Sequence, residues 1–130
     1  MARILLDSTV LIDALRGRPA AGQIRGMRRS GDEPWICAIS VEEIWRGLLP
    51  HEERSAERLM RAMRLAPLGV TEGERAGRWR REYADNGMTL HQADCLIAAA
   101  AVGVGARLAT GNAAHFPMPE LNVEHWPPGE

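Results

Sequence analysis

The opening of the chain constrains its fold most strongly, because the apolar run Ile4-Leu5-Leu6 ends at an acidic residue, Asp7, where a helical pattern begins. So short a run of branched apolar residues predicts a strand buried on both faces, as in a parallel sheet. Open α/β sheets bind ligands at the carboxyl ends of such strands, which makes Asp7 the first candidate site residue. Ser8 or Thr9 can cap the following helix, and Asp7 could itself serve only as a cap.

Length and composition predict a single domain over residues 1–130, because 130 residues with 45% hydrophobic content can bury a proper core. The formal net charge is −1, from 16 basic and 17 acidic residues, so no overall field attracts nucleic acid or a membrane. All 16 basic residues are arginine. The absence of lysine removes every mechanism that needs an ammonium group.

The two cysteines indicate a reducing environment. Cys37 and Cys95 lie in apolar runs without the spacing of a disulfide pair or a metal site, so we predict reduced core thiols and a cytoplasmic protein. The apolar segment before Asp7 is too short for a secretory signal. The longest run without a polar side chain, residues 95–106, is shorter than the roughly 20 residues needed to cross a bilayer. We therefore expect no membrane association.

Helical and strand patterns alternate along the chain. The patterns predict strands over 3–7, 34–39, 65–70, 107–110 and 121–126, and helices over 9–15, 20–29, 40–47, 51–64, 71–86 and 90–102. Capping-box patterns at Ser40/Glu43, Thr71/Glu74 and Thr89/Gln92 set the starts of three of these helices. Pro67 makes the third strand a peripheral one. This alternation predicts an α/β fold, a three-layer α/β/α sandwich with a mostly parallel central sheet.

Asp94 lies in the apolar stripe of its predicted helix, since the positions around it on that face are Leu90, Ile97, Ala98 and Ala101. An ionised carboxylate in such a stripe needs a partner. Taken by itself, this residue leaves two explanations open. Asp94 is either a functional acid or a buried aspartate bonded to a cap or paired with an arginine.

Three other polar residues also have structural explanations. Glu43 could be the reach-back residue of a capping box at Ser40, although we favour it over Glu42 as a site residue because Ile44 and Gly47 follow it on the inward side. Asn112, just beyond a strand, could be a left-handed turn residue. Asp13 is expected on a helix surface, solvated or paired with an arginine.

The predicted fold brings the ends of two strands, at Asp7 and Thr110, together with two helix starts. If Asp7, Glu43 and Asp94 converge within about 4 Å, each ionised pair repels by about 4 kcal/mol at an effective dielectric near 20. With no lysine available, protons, an arginine or a divalent cation must relieve this repulsion. Oxygen-only ligation suits Mg²⁺ or Mn²⁺. The chemistry that follows is phosphodiester hydrolysis by metal-activated water, with a carboxylate as general base.

Four segments carry a resemblance to a known family. Residues 6–12 (LDSTVLI), 40–47 (SVEEIWRG), 90–99 (LHQADCLIAA) and 108–116 (LATGNAAHF) resemble the motifs of the PIN-domain ribonucleases, and within them the VapC-type toxins of bacterial toxin–antitoxin pairs. The motifs occur in the family's order and cover nearly the whole chain. The resemblance therefore implies a PIN-like fold.

The resemblance also assigns roles to residues. It implies that Asp7, Glu43 and Asp94 occupy the first three acidic positions and hold Mg²⁺, which Mn²⁺ may replace, with Asp7 and Asp94 as the direct ligands. Thr110 and Asn112 fit the fourth motif, and Asn112 joins the catalytic set. Many relatives carry an acid directly before the phenylalanine, whereas this chain has His115. That departure favours one metal ion over two.

The resemblance further implies an endoribonuclease toxin that cleaves structured RNA such as tRNA or rRNA. The implied partners are a second copy in a homodimer and a VapB-type antitoxin whose tail occupies the acidic groove. We predict that a group of arginines tracks the RNA phosphates, namely Arg16, Arg18, Arg25, Arg28 and Arg29. We interpret a second group as surface ion pairs with Glu53 and Glu57, namely Arg54, Arg58, Arg61 and Arg64.

Two competing interpretations remain. Receiver domains and haloacid-dehalogenase-like phosphatases share this architecture, but both normally need a lysine in the site, and the second position after Asp7 is Thr9 instead of the phosphatase aspartate. The other alternative is a catalytically silent PIN-like module that binds RNA or a protein. The sequence does not exclude it, because three acids can persist as a structural cluster.

Overall fold

The computed structural model describes residues 1–129. The strands are β1 (Arg3–Leu6), β2 (Glu33–Ile36), β3 (Arg64–Leu65), β4 (Arg107–Thr110) and β5 (Val123–His125). The helices are α1 (Ser8–Leu15), α2 (Pro19–Arg29), α3 (Ala38–Gly47), α4 (Glu53–Arg61), α5 (Val70–Asp85) and α6 (Gln92–Gly103). Short 3-10 turns cover Pro50–Glu52 and Ala113–His115.

The five strands form one sheet in the order β3-β2-β1-β4-β5, and every neighbouring pair is parallel. β1 is central, with Leu5 opposite Trp35 of β2 and Leu108 of β4. This topology brings the carboxyl ends of β1 and β4 side by side. The residues that follow these two strands therefore meet at one edge of the sheet.

Alternate residues of each strand face opposite layers of helices. Leu5, Trp35 and Leu108 belong to the core cluster that includes α5 and α6, whereas Ile4 and Leu6 belong to the cluster formed with α1 and α2. All five are buried. The predicted three-layer α/β/α sandwich is confirmed, and its sheet is parallel throughout the described strands.

Four strands are shorter than the sequence predicts. β1 ends at Leu6 instead of Asp7, and β5 covers Val123–His125 instead of 121–126. β3 is an edge strand of two residues. Ala66 N donates the last sheet hydrogen bond to Ile36 O at 2.8 Å, and Pro67 has no N–H to extend the pairing. β2 ends at Ile36, and Cys37 is the extended N-cap of α3.

No helix within residues 1–129 has the length and apolar character needed to span a bilayer.

The three predicted capping boxes are wrong in position. α3 begins at Ala38, so Ser40 lies inside the helix and is fully buried, because packing against the core overrides its preference for a cap. α5 begins at Val70, where Gly69 N donates to Glu72 Oε1 at 2.7 Å in place of the predicted Thr71/Glu74 pair. α6 begins at Gln92 instead of residue 90.

Candidate active site

Four segments of the chain line one cavity of about 460 Å³ at the carboxyl edge of the sheet. We call it the acidic cavity, and its lining residues are Asp7, Ser8, Thr9, Glu43, His91, Ala93, Asp94, Asn112 and His115. The four predicted catalytic residues are all among them. None of these lining residues is an arginine, so the cavity holds three carboxylates without a permanent positive charge.

Asp7 is buried at the end of β1 and is fixed from two sides. Its Oδ1 accepts a hydrogen bond from Ser8 N at 2.8 Å as the N-cap of α1. Its Oδ2 accepts bonds from the hydroxyls of Thr110, at 2.7 Å, and Thr9, at 3.3 Å. A carboxylate has about four acceptor sites, so these three donors orient the group and leave it able to accept a further partner. Asp7 therefore caps α1 and can still bind a further partner in the cavity.

Glu43 turns towards the cavity instead of capping its own helix. Its Oε1 accepts a hydrogen bond from Ser8 Oγ at 3.2 Å. Because α3 begins at Ala38, Ser40 is not its N-cap, and Glu43 therefore does not complete a capping box with Ser40. Burial raises the pKa of Glu43, the nearby charges of Asp7 and Asp94 raise it further, and the Ser8 hydroxyl opposes the shift. Glu43 thus holds a proton more readily than an ordinary glutamate.

Asp94 enters the cavity from the first turn of α6, with 19% of its side chain exposed. Burial raises its pKa, His115 opposes that effect, and the charge of Asp7 adds to it. His115 Nδ1 lies 3.6 Å from Asp94 Oδ2. Asp94 has no arginine partner within residues 1–129, so the alternative of an arginine-paired structural aspartate does not apply.

Asn112 stands at the rim of the cavity, two residues after β4. Its backbone N donates to Thr110 Oγ1 at 3.0 Å, the hydroxyl that also binds Asp7. Its φ angle is −121°, so it is not the left-handed turn residue that was the alternative explanation. The exposed side chain is free to meet a bound molecule.

The donors of the acidic cavity fit a hydrated divalent cation. Within residues 1–129, no three histidine, cysteine or carboxylate side chains are placed to hold an ion directly. Mg²⁺ commonly binds through one or two carboxylates and keeps several waters, so it does not require such a triad. Burial first, and the neighbouring carboxylates in addition, raises the pKa of Glu43 and of Asp94, in keeping with a negative charge that is poorly compensated. A divalent cation would supply the charge that this cavity lacks.

The arginines are divided between ion pairs and a second surface. Of the predicted phosphate-tracking group, Arg18 pairs with the buried Asp13 at 2.8 Å and Arg16 lies 3.6 Å from Glu52. Asp13 is thus paired, as one alternative predicted, but it is not on the surface; its Oδ2 also accepts from Gly129 N.

A groove of about 400 Å³ lies between α1, α2 and α4, away from the acidic cavity. Its floor is mainly apolar, and exposed guanidinium groups of Arg25, Arg28 and Arg58 line it; none of the three has an ion-pair partner within 4 Å in the described range. We call it the arginine groove, with Ala14, Leu15, Ala21, Ile24, Ser55, Leu59 and Ala62 as its other lining residues.

Within residues 1–129 the predicted pairing with Glu53 and Glu57 is seen only for Arg61, which lies 3.8 Å from Glu57. It is wrong for Arg54 and Arg58, and Arg64 lies 3.5 Å from Glu33 instead. The sequence did carry a signal for the groove. Ser55 and Leu59 on α4, with Ala62 directly after it, follow helical spacing and form a stripe beside Arg58.

A parallel α/β sheet with carboxylates at its carboxyl edge is an arrangement suited to a nuclease domain. Comparison with known proteins identifies the family. The chain belongs to the PIN domain family, whose match covers residues 4–117, and within it to the VapC type.

Individual relatives support this assignment. Ribonuclease VapC10 of Mycobacterium tuberculosis is 37% identical over 115 residues, which cover 88% of this chain and 86% of the relative. Ribonuclease VapC19 of the same organism is 32% identical over 119 residues, covering 90% and 95%. The fold is similar to that of a chain in the DNA-bound VapBC structure from Salmonella typhimurium, with a TM-score of 0.82, 22% identity, and coverage of 97% and 99%.

Proposed function

We propose that this protein is a divalent-cation-dependent endoribonuclease and the toxin of a toxin–antitoxin pair. The observation that carries the proposal is the acidic cavity, where Asp7, Glu43 and Asp94 face one space that no arginine lines. The names of the VapC ribonuclease relatives support the reaction class.

Each carboxylate has a distinct part in the proposed reaction. Asp7, held by the hydroxyl of Thr110, and Asp94 would hold Mg²⁺ or Mn²⁺. When bound, such an ion supplies Lewis-acid activation of the phosphodiester and lowers the pKa of water. Glu43, with its pKa raised by burial, would accept a proton from the attacking water as general base. Asn112 would donate its amide to a phosphate oxygen from the rim.

The proposed substrate is structured RNA, such as tRNA or rRNA. Three uncompensated carboxylates repel a polyanion, so the same cation that activates the phosphodiester also lets its phosphate approach. Of the predicted phosphate-tracking arginines, Arg29 is exposed and Arg25 and Arg28 line the arginine groove. These residues would extend the contact beyond the cut site.

The proposed partners are a VapB-type antitoxin and a second copy of the chain. The arginine groove has the apolar floor and basic rim that fit an amphipathic helix with acidic flanks. A tail following that helix would occupy the acidic cavity. The VapBC complexes among the structural neighbours support an antitoxin partner.

The test is cleavage of total tRNA and rRNA with Mg²⁺, with Mn²⁺ and with EDTA. We expect cation-dependent cuts that leave 5′-phosphate and 3′-hydroxyl ends. Asp7→Asn and Asp94→Asn should lower the rate by at least 10³-fold while the far-UV spectrum stays unchanged, which is about 4 kcal/mol of transition-state stabilisation. Glu42→Gln is the matched control, because Glu42 is exposed and its one ion pair among residues 1–129 is with Arg46, at 2.9 Å.

The other outcomes contradict the proposal in different ways. Cyclic 2′,3′-phosphate ends would refute attack by water. RNA binding without cleavage under all three conditions would favour the catalytically silent module.

A further inference from the structure

His115 is a nitrogen donor set among the carboxylates of the acidic cavity. It ends the 3-10 turn Ala113–His115, in which His115 N donates to Asn112 O at 2.9 Å, and the buried Phe116 follows it. The backbone of this turn is therefore fixed on both sides of the histidine. Its ring nitrogen Nδ1 lies 3.6 Å from Asp94 Oδ2.

A structural role does not account for this histidine. Its side chain is 54% exposed, and its only ion-pair contact within residues 1–129 is the one with Asp94. A half-exposed ion pair contributes little to stability. The ring nevertheless faces a carboxylate that we propose as a cation ligand, and the two side chains offer one nitrogen and one oxygen to the same space.

We propose that His115 is a nitrogen ligand to the cation that Asp94 holds, and that this chain thereby selects a divalent transition-metal ion over Mg²⁺. The inference rests on the cation-dependent nuclease proposed above and makes that proposal more specific. Carboxylates and water suit both Mg²⁺ and Mn²⁺, whereas imidazole suits zinc, copper, iron and nickel ions. Mn²⁺ is the transition ion that also accepts a site made mostly of carboxylates and water.

His91 provides the internal control. It also lines the acidic cavity, but it is an exposed residue at the N-cap of α6 and lies within ion-pair distance of no carboxylate in residues 1–129. The charge of His91 still lowers the pKa of Asp94, but less than that of His115, in keeping with its greater distance. A nitrogen ligand from His115 should therefore survive the loss of His91.

The experiment is pulsed electron paramagnetic resonance on Mn²⁺ bound to the whole chain, prepared with natural-abundance and with ¹⁵N-labelled histidine. We expect nitrogen modulation that changes with the label in the unmodified protein and in His91→Ala. The modulation should be lost in His115→Ala and in His115→Asp. Circular dichroism checks that each variant is folded. We expect that it is, because both imidazole rings are exposed.

Calorimetric titration adds a second readout. The ratio of Mn²⁺ to Mg²⁺ affinity should fall on the order of tenfold in His115→Asp, because that change restores an all-oxygen set. An unchanged ratio would count against metal selection by His115.

Two failures are distinguishable. Bound Mn²⁺ without nitrogen modulation, or modulation lost in His91→Ala and kept in His115→Ala, overturns the inference and leaves the proposed nuclease intact. The absence of any Mn²⁺ or Mg²⁺ uptake by the unmodified chain overturns the cation itself, and with it both proposals.

Discussion

The acidic cavity and the arginine groove differ in both charge and construction. The cavity is built from four distant segments and concentrates Asp7, Glu43 and Asp94 without an arginine among its lining residues. The groove is built from three helices within the first half of the chain, and its charge comes from Arg25 and Arg28 with a third arginine from α4. A net charge of −1 therefore conceals two surfaces of opposite sign.

This difference shows why overall charge says little about partners here. Charges that have local ion pairs, such as Arg18 with Asp13, are neutralised within the protein. The charges of the two surfaces are not, so each is available to a ligand of the opposite sign. The cavity should take cations, and the groove should take acidic groups.

The largest effect is expected from reversing the charge of the arginine groove, which would remove its difference in sign from the acidic cavity. A fluorescent amphipathic helical peptide with glutamates flanking its apolar face should bind more tightly than the same peptide with lysines. In the variant Arg25→Glu, Arg28→Glu, Arg58→Glu this preference should invert, with about a 100-fold loss for the acidic peptide, or roughly 2.7 kcal/mol.

Fluorescence anisotropy measures both affinities. The kcat of RNA cleavage should stay within about threefold of the unmodified value, because the acidic cavity is unchanged. KM for RNA should rise, because Arg25 and Arg28 would also contact RNA phosphates. Lowered RNA affinity with an unchanged peptide preference would show instead that the groove holds phosphates and not an acidic helix.

A second prediction concerns how the cavity is held. Thr110→Val removes the hydroxyl that donates to Asp7 Oδ2 at 2.7 Å and accepts from Asn112 N at 3.0 Å. We expect kcat/KM for RNA to fall by about 10–100-fold and the free energy of unfolding to fall by about 1–3 kcal/mol. The exposed Thr71→Val is the matched control. Unchanged cleavage would mean that Asp7 does not need this support.

The smallest effect is expected from the pH dependence of stability. Burial first, and the charge of Asp7 in addition, raises the pKa of Asp94, so the folded metal-free protein binds its proton more tightly than the unfolded chain. The stability from this group is therefore present at low pH and is lost as pH rises through the raised pKa.

Asp94→Asn should remove that loss and raise Tm at pH 7 without metal by about 2–4 °C, measured by calorimetry. Asp85→Asn, at an exposed position, should leave Tm unchanged. A lower Tm in Asp94→Asn would show that the carboxylate is well compensated in the folded state.

Much of the cavity was accessible from the sequence. The run ending at Asp7 and the apolar stripe around Asp94 identify acids at positions that a parallel sheet must bring together. Local capping preferences were less informative, because Ser40 is buried inside α3 and Glu72 caps Gly69 N, so that two helices start one or two residues early. Side-chain choices among neighbours, such as Glu57 with Arg61 instead of Arg58, depend on tertiary positions that periodicity does not contain.

The order of the strands also has a temporal consequence. Asp7 and its hydrogen-bond partner Thr110 are 103 residues apart, which corresponds to roughly 5–20 s of protein synthesis. The central strand must therefore wait for one neighbour until Thr110 has been made. A polypeptide released before that residue lacks a wall of the cavity, so synthesis of β4 sets the earliest point at which the acidic cavity is closed.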